Sequence, residues 1–462
     1  MRATRRAFLG GAVATAGLPL IGPAIAATAP KVIEPKPVSH QLAPDGYPKT
    51  AVWAYDGASP GPEIRLGQGA RLERRLVNGL DQPTTIHWHG IRVPNGMDGV
   101  PDLTQTAVAP GESFDYAFDV PDAGTYWYHA HWASPEQVGR GLHGPLIIEE
   151  AESAPDIDAD LVLALDDWLL NEAAQIEPNF AIPMQMSHGG RIGNFVTTNA
   201  RHDFTQDVQQ HQRLRLRLIN MANARIFPLA LQGLDGWVVA YDGMPLAQPE
   251  KVTSELVMGP AQRIDLLVDV TAAEGGEAYL VRLDDDGGMV QAAFPVTARA
   301  SLTRRPDPVA LPPNPGHAMG TLGSAQTAPM KIEGGAMGRL SRASVEGREM
   351  GFREMIGQGQ FWAMAGQAGL HDTPLVTASM GETVRIPIEN DTVFPHAMHL
   401  HGMHFREVLG DGAMGPMRDT LLIAARERRE IAFVADNPGD WLFHCHMLGH
   451  AASGMMQWVR VV

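Results

Sequence analysis

The chain has 462 residues, 44% of them hydrophobic and 19% charged, with a formal net charge of −16. At about 100–200 residues per domain, this is enough for two to four domains with sizeable cores. The acidic balance excludes nucleic acid and anionic membrane surfaces as partners, and a single cysteine excludes an internal disulfide.

Residues 1–26, "MRATRRAFLGGAVATAGLPLIGPAIA", have a basic start, an uncharged small-and-apolar run and a terminal Ala24-Ile25-Ala26. That is the layout of a cleavable export signal. Arg5-Arg6 before Ala7-Phe8-Leu9 resembles a twin-arginine signal, so a periplasmic protein is expected. Pro19, Pro23 and an apolar run short of about 20 residues make a poor membrane span. No later stretch is better, so no stable membrane insertion is expected after signal removal.

The 49 glycines and 35 prolines favour many short strands over long helices. Three stretches share one pattern: "RLERRLVNGLDQPTTIHWHG" at 71–90, "RLRLRLINMANARIFPLALQG" at 213–233 and "TVRIPIENDTVFPHAMHLHG" at 383–402. Each opens with the alternation of a half-buried strand. Each then has an asparagine (Asn78, Asn220, Asn390), a turn-rich link, a second strand and a glycine (Gly90, Gly233, Gly402). "ESFDYAFDVPDAGTYWYHAH" at 112–131 matches "REIAFVADNPGDWLFHCH" at 429–446, and 261–283 is the middle copy. Three β-domains of one kind are expected, at 28–153, 154–300 and 320–462. A Pro-rich linker at 301–319 separates the last two.

Ten of the 18 histidines fall in four clusters: His87 and His89; His129 and His131; His396, His399 and His401; His444, His446 and His450. Each contains an H-x-H pair, and on a strand residues i and i+2 face the same way. Four pairs at matching places in two repeats form a large imidazole donor set, suited to Zn, Cu, Fe or Ni. In the middle copy Leu229 and Leu231 stand where the first copy has His87 and His89. Packing histidines would be expected in all three copies. Histidines serving a site between the first and third domains would be expected only there.

Cys445 stands between His444 and His446, and alternation turns it to the opposite face. His396 and His450 are left over from the pairs. One cysteine, two histidines and a nearby methionine make a blue-copper donor set, with Met455 favoured over its neighbour Met456 as axial candidate. Zinc also accepts Cys and His, but it leaves the other eight histidines unexplained.

These motifs resemble the three-domain multicopper oxidases, the family of laccases and bacterial copper-efflux oxidases. The resemblance covers nearly the whole mature chain. It implies an all-β protein of three cupredoxin-like Greek-key sandwiches holding four copper ions. It assigns Cys445, His396, His450 and Met455 to a type 1 copper, and His87 and His399 to a type 2 copper. His89, His129 and His446 would hold one type 3 copper, and His131, His401 and His444 the other. The implied reaction is one-electron oxidation of a small donor, coupled to four-electron reduction of O2 to water. Asp98 in "NGMDGVPD" matches an acidic residue that assists proton delivery near the type 2 copper. The family's second acid, just after the last type 1 histidine, is replaced by Ala451.

The donor is read less directly. Met330, Met337, Met350, Met355, Met364 and Met380 suggest either a soft Cu(I) site, for copper detoxification, or core filler. Before the third cluster, Asp391 stands one position off the efflux-oxidase pattern, and Phe394 stands where a methionine would help. Asp419 in "GPMRDT" is either an acid beside the type 1 copper, accepting a phenol proton, or a plain loop residue. His143 and His404 match no ligand position and are read as supporting or surface residues. A two-domain copper nitrite reductase lacks the H-C-H arrangement. A non-catalytic copper-binding or structural periplasmic protein of the same fold is the alternative to the oxidase. A monomer is expected.

Overall fold

The computed structural model describes residues 30–151, 155–316, 319 and 322–462. The expected export signal lies outside the described residues, as do 317 and 318 of the expected linker. Strands dominate, and among the described residues the longest helices, Ser134–Gly139 and Phe352–Gly357, have six residues. No described helix is long and apolar enough to cross a membrane.

The repeat seen in the sequence is a repeat of strand pairing. Arg71–Val77 pairs in parallel with Lys31–Ile33 and antiparallel with Ser113–Asp119. Arg213–Asn220 pairs in parallel with Ala159–Trp168 and antiparallel with Arg263–Val270. Thr383–Asn390 does the same with Met330–Gly334 and Arg428–Val434. In each unit a second sheet carries the matching antiparallel pair: Ile86–His89 with Gly124–Ala130, Phe227–Gln232 with Glu277–Asp284, and His396–Leu400 with Gly439–Cys445. Two sheets per unit, joined by crossovers, form the cupredoxin-like sandwich.

The three asparagines explain why the repeat survives in the sequence. Each is buried and makes the same three bonds at the corner between the two strands. The amide of Asn78 donates to the carbonyls of Gln82 and Val108, and its oxygen accepts from Leu80 N–H. Asn220 does this with Arg225, Met258 and Ala222, and Asn390 with Phe394, Ala424 and Thr392. A side chain that replaces three backbone partners at a buried turn is costly to change. The glycines that end each repeat, Gly90, Gly233 and Gly402, all have φ between +66° and +86°, a region that side chains disfavour.

One expectation needs correction. The alternation in "RLRLRLIN" predicts a half-buried strand, but both of its faces are buried. Leu214, Leu216 and Leu218 enter the core of the middle unit. The opposite face, Arg213, Arg215 and Arg217, is covered as well. Arg213 pairs with Asp269 at 2.6 Å and donates to the carbonyl of Pro306 in the linker. Arg215 pairs with Asp265 and Glu150, and Arg217 with Asp160, Asp265 and the Thr125 hydroxyl. The polar face is therefore a contact with the first unit and the linker, not a solvated one. Buried guanidinium groups persist only with such partners.

Candidate metal centre

The third unit presents Cys445 and its neighbours in opposite directions. In the ladder, Met398 faces Cys445 and His399 faces His444. Cys445 Sγ lies 3.8 Å from His396 Nδ1 and 3.7 Å from His450 Nδ1, with the two nitrogens 3.2 Å apart. Met455 is fully buried in the same core as Cys445, whereas Met456 is half-buried and lines a cavity beside His131 and His444. The two methionines therefore lie in different surroundings, Met455 in the core that holds Cys445 and Met456 at the cavity. Burial pushes the Cys445 thiol up to about 12, so a thiolate there needs a cation.

The flanking histidines turn the other way. His444 Nε2 is 3.1 Å from His401 Nε2, and His446 Nε2 is 3.4 Å from His129 Nε2. The first unit supplies His87 and His129 opposite one another in its ladder, just as His399 and His444 are opposed in the third. The ligand atoms of His87, His399 and His401 lie within 4.8 Å of one another, as do those of His87, His89 and His129, and of His131, His401 and His444. His131 is half-buried and the others are buried. The structure thus brings all ten predicted histidines into two groups, one with Cys445 and one between the first and third units.

Hydrogen bonds fix which nitrogen of each ring faces inward. Nδ1–H of His87, His129, His399 and His444 donates to the carbonyls of Asp98, Ala130, Asp419 and Cys445, at 2.8–3.0 Å. Nε2 then keeps its lone pair, and the buried Nε2 atoms of His87 and His399 have no hydrogen-bond partner. His89 is reversed: its Nε2 bonds Asp419 Oδ1 at 3.1 Å, leaving Nδ1 buried and unpartnered. Burial, followed by neighbouring imidazoles, holds His129, His401, His444 and His446 well below the usual histidine range. Burial also lowers His131 to about 3 and His450 to about 4. Neutral imidazoles with converging, unpartnered lone pairs suit a set of borderline-soft cations, and the buried thiol beside two of them favours copper.

Two carboxylates hold this array. Asp98, fully buried after the short Asn95–Met97 turn, bonds His401 Nδ1 through Oδ2 at 3.0 Å and supplies its carbonyl to His87. Asp419 is not at the Cys445 site, contrary to one of the two sequence readings. The strand that follows it, Thr420–Ile423, sets Thr420 opposite His399, which delivers Asp419 to the histidine group between units. There its carboxylate contacts His89 and His399 and receives two bonds from Arg263. Arg263 spends all its donors on buried partners: Asp419, Thr125 O, Ala261 O and Asp242 O. Burial would raise Asp419, but Arg263 and His89 hold it well below the usual carboxylate range. Burial and the Asp419 charge push Asp242 up to about 6.

Sequence reasoning missed Arg263 and Asp242, which come from the unit that contributes no clustered histidine. The remaining expectations divide. Met330, Met350, Met355 and Met364 are buried core residues, while Met337 and Met380 are exposed. Asp391 is tied up by Lys331 and Arg426. His143 is no surface residue: it is buried and bonds Asp166 at 3.0 Å, and His404 is buried too. Ala451 lines the ≈240 Å³ cavity that reaches His131 and His444 among Val100, Leu442 and Leu448.

Fold and site together define a three-sandwich metalloprotein in which one thiol site adjoins a histidine cluster. Family models for multicopper oxidases match residues 38–153, 159–304 and 350–462. The chain is 29% identical to the multicopper oxidase MmcO of Mycobacterium tuberculosis, over 96% of this chain and 88% of that protein. A multi-copper oxidase structure from Pseudomonas thermotolerans is 35% identical with a TM-score of 0.80, covering 93% of this chain and 98% of that one. Lac15, from a marine microbial metagenome, is 38% identical with a TM-score of 0.77, covering 94% and 100%. The chain belongs to the multicopper oxidase family, and is an oxidoreductase.

Proposed function

We propose that this is an exported, periplasmic, monomeric oxidase that couples one-electron oxidation of a small donor, a phenol-like organic or Cu(I), to reduction of O2 to water. We assign its three domains to 28–153, 154–300 and 320–462. Four copper ions would be held: a type 1 ion by Cys445, His396, His450 and Met455, and a type 2 ion by His87 and His399. The type 3 pair would be held by His89, His129 and His446, and by His131, His401 and His444. When bound, these ions supply the one-electron chemistry and the store of four electrons that O2 requires.

The observation that carries the reading is the divergence at 444–446: the thiol meets His396 and His450, while its two covalent neighbours meet His401 and His129. The two sites are thus joined by one residue's backbone. The neutral imidazoles keep their lone pairs inward because backbone carbonyls hold the opposite nitrogen. Asp98 and Asp419 orient rings from both units, and Asp98 stands as the acid nearest His401 for proton delivery. The apolar cavity beside His131 and His444 suits O2, a small apolar molecule.

The test is direct. Copper-loaded protein should show a band near 600 nm, and O2 uptake with a phenol should give four donors oxidised per O2. A loaded chain with no such band sinks the type 1 assignment. O2 uptake with a phenol, with and without added copper, beside Cu(I) oxidation, separates a phenol oxidase from a cuprous one.

A further inference from the structure

One loop carries two acids in opposite surroundings. Residues 98–105, "DGVPDLTQ", follow the strand Ile86–His89. Asp98 is fully buried, and its carboxylate is engaged with His401. Asp102 is exposed, and no described residue bonds its carboxylate. The loop is tied down between them. Gly99 is pressed on the strand, where a Cβ would collide with the carbonyl of Ile86. Val100 N–H donates to the Thr104 hydroxyl, and Thr104 N–H returns to the carbonyl of Val100, both at 3.0 Å. Asp102 N–H donates to the carbonyl of Gln105, with the Asp102 backbone at φ +65°. Aspartate is one of the few side chains enriched in that conformation, so the backbone sets where the carboxylate stands.

Asp102 lines the ≈240 Å³ cavity that reaches His131 and His444. Val100, Leu442, Leu448 and Ala451 give that cavity its apolar walls. Asp102 and Ala452 on its lining are exposed while His444 is buried, so the cavity joins solvent to the histidine cluster. Several water molecules fit, at about 30 Å³ each, provided that they find polar partners. The lining offers such partners at Asp102, Ser134, His131 and His444. Among the described residues on this lining, Asp102 is the one carboxylate, and there is no lysine or arginine. The acid expected just after His450 is Ala451, which adds only a methyl group to the same wall.

We propose that Asp102 is the side chain that passes protons from solvent, through this cavity, to the His131 and His444 side of the cluster, in default of an acid at position 451. This rests on the oxidase reading above and adds a residue to it. Reduction of one O2 takes four electrons and four protons, breaks the O–O bond and forms the four O–H bonds of two waters. The electrons come from four one-electron oxidations of the donor. Asp98 does not gather the protons alone, because it is buried away from solvent. Asp102 gives a proton to cavity water and regains one from bulk water, so it is unchanged after each transfer. An exposed, unbonded carboxylate suits that exchange, whereas one locked to a guanidinium, as Asp419 is to Arg263, does not.

The experiment uses full-length copper-loaded protein beside its Asp102→Asn and Asp102→Glu variants. Protein reduced anaerobically with a phenol is mixed with O2, and return of the 600 nm band is followed in H2O and D2O. Bleaching of the band by the phenol, which occurs at the thiol site, should be the same in all three proteins. Return of the band at pH 8 should slow roughly tenfold in Asp102→Asn, with a larger solvent isotope effect. The gap should close toward pH 5, where bulk protons are about a thousandfold more abundant and replace the missing acid. The other titratable groups on the lining, His131 and His444, are common to all three proteins. Asp102→Glu should recover most of the rate. Azide binding to the oxidised protein, read by absorbance without turnover, should quicken about twofold in Asp102→Asn as a negative charge leaves the mouth, and less at high salt. Band return within twofold of the unmodified chain in Asp102→Asn at pH 8, or equal slowing in Asp102→Glu, overturns the proton role. Unchanged azide binding overturns the place of Asp102 at the mouth. Absence of the band, or of O2 uptake, in the unmodified chain overturns the oxidase reading itself.

Discussion

The middle unit and the two outer units are built on the same frame and put it to different uses. Asn220 makes the same three bonds as Asn78 and Asn390, and Gly233 has the backbone of Gly90 and Gly402. On that frame His87 faces His129 and His399 faces His444, whereas Leu229 faces Arg282 and fills the apolar core. The frame therefore fixes where two strands present a pair of side chains, and the side chains decide whether the place is a ligand site or a core. The middle unit nonetheless acts on the site at one remove, through Arg263 on Asp419 and through the His188 carbonyl, which accepts from His450 Nε2 at 2.6 Å. A domain that contributes no histidine to either group still sets the position of rings that belong to its neighbours.

The comparison breaks most sharply at Cys445, the only thiol in the chain. Cys445→Ser should lose the 600 nm band and reduce O2 uptake on the order of a thousandfold or more. Its thermal transition and most of the histidine-cluster copper should be kept. Normal turnover in that variant would detach the thiol from the reaction.

Arg263→Met asks whether the middle unit is needed. It leaves the Asp419 charge buried without its main partner, a loss of about 3–5 kcal/mol. A thermal transition lowered by several degrees is expected, with reduced type 2 copper in electron paramagnetic resonance and an intact blue band in the surviving protein. Arg263→Lys should restore part of the copper. If both variants load copper fully, the contact is only structural.

Acid sharpens the same contrast, because the clustered histidines lie in the outer units. His450 is lowered from the usual 6.5 to about 4 by burial. Its unfolded form binds a proton first, so stability present above about pH 6.5 is lost as pH falls toward 4. The span is worth about 3 kcal/mol for this one residue. Melting curves of copper-free protein should fall steeply between those values, and copper loading should flatten them. A flat copper-free profile would contradict neutral buried imidazoles.

The smallest expected effect is Leu229→His. A polar ring placed in an apolar core should cost about 1–3 kcal/mol and add no copper, since the partner is Arg282 and not a second histidine. Extra bound copper, counted by elemental analysis, would show that the frame alone makes a site.

Much of this was legible because it is local. H-x-H pairs, the H-C-H triplet, the three asparagines and the missing histidines at Leu229 and Leu231 all read directly along the chain. What was hidden depends on distant segments meeting. Asp419 reads along the chain as either an acid beside the thiol site or a loop residue, since only the pairing of Thr420 with His399 carries it to the histidine cluster. Arg263 carries no motif along the chain, and its role appears only once Asp419 and Thr125 close on it. "PMQMSHGG" has no metal-site spacing, because its contribution to His450 is a backbone carbonyl that any sequence could supply.

The single guanidinium of Arg263, bonded to Thr125, Asp242 and Asp419, also bears on the order of events in the life of the chain. His129 and His446 come from distant parts of the sequence and meet only when the first and last units have closed around that cation. No half-made chain can hold the full cluster. On the proposed ligand assignment, full metal loading would wait for the final strands, and a chain truncated before His444 would lack three of the clustered histidines and the thiol.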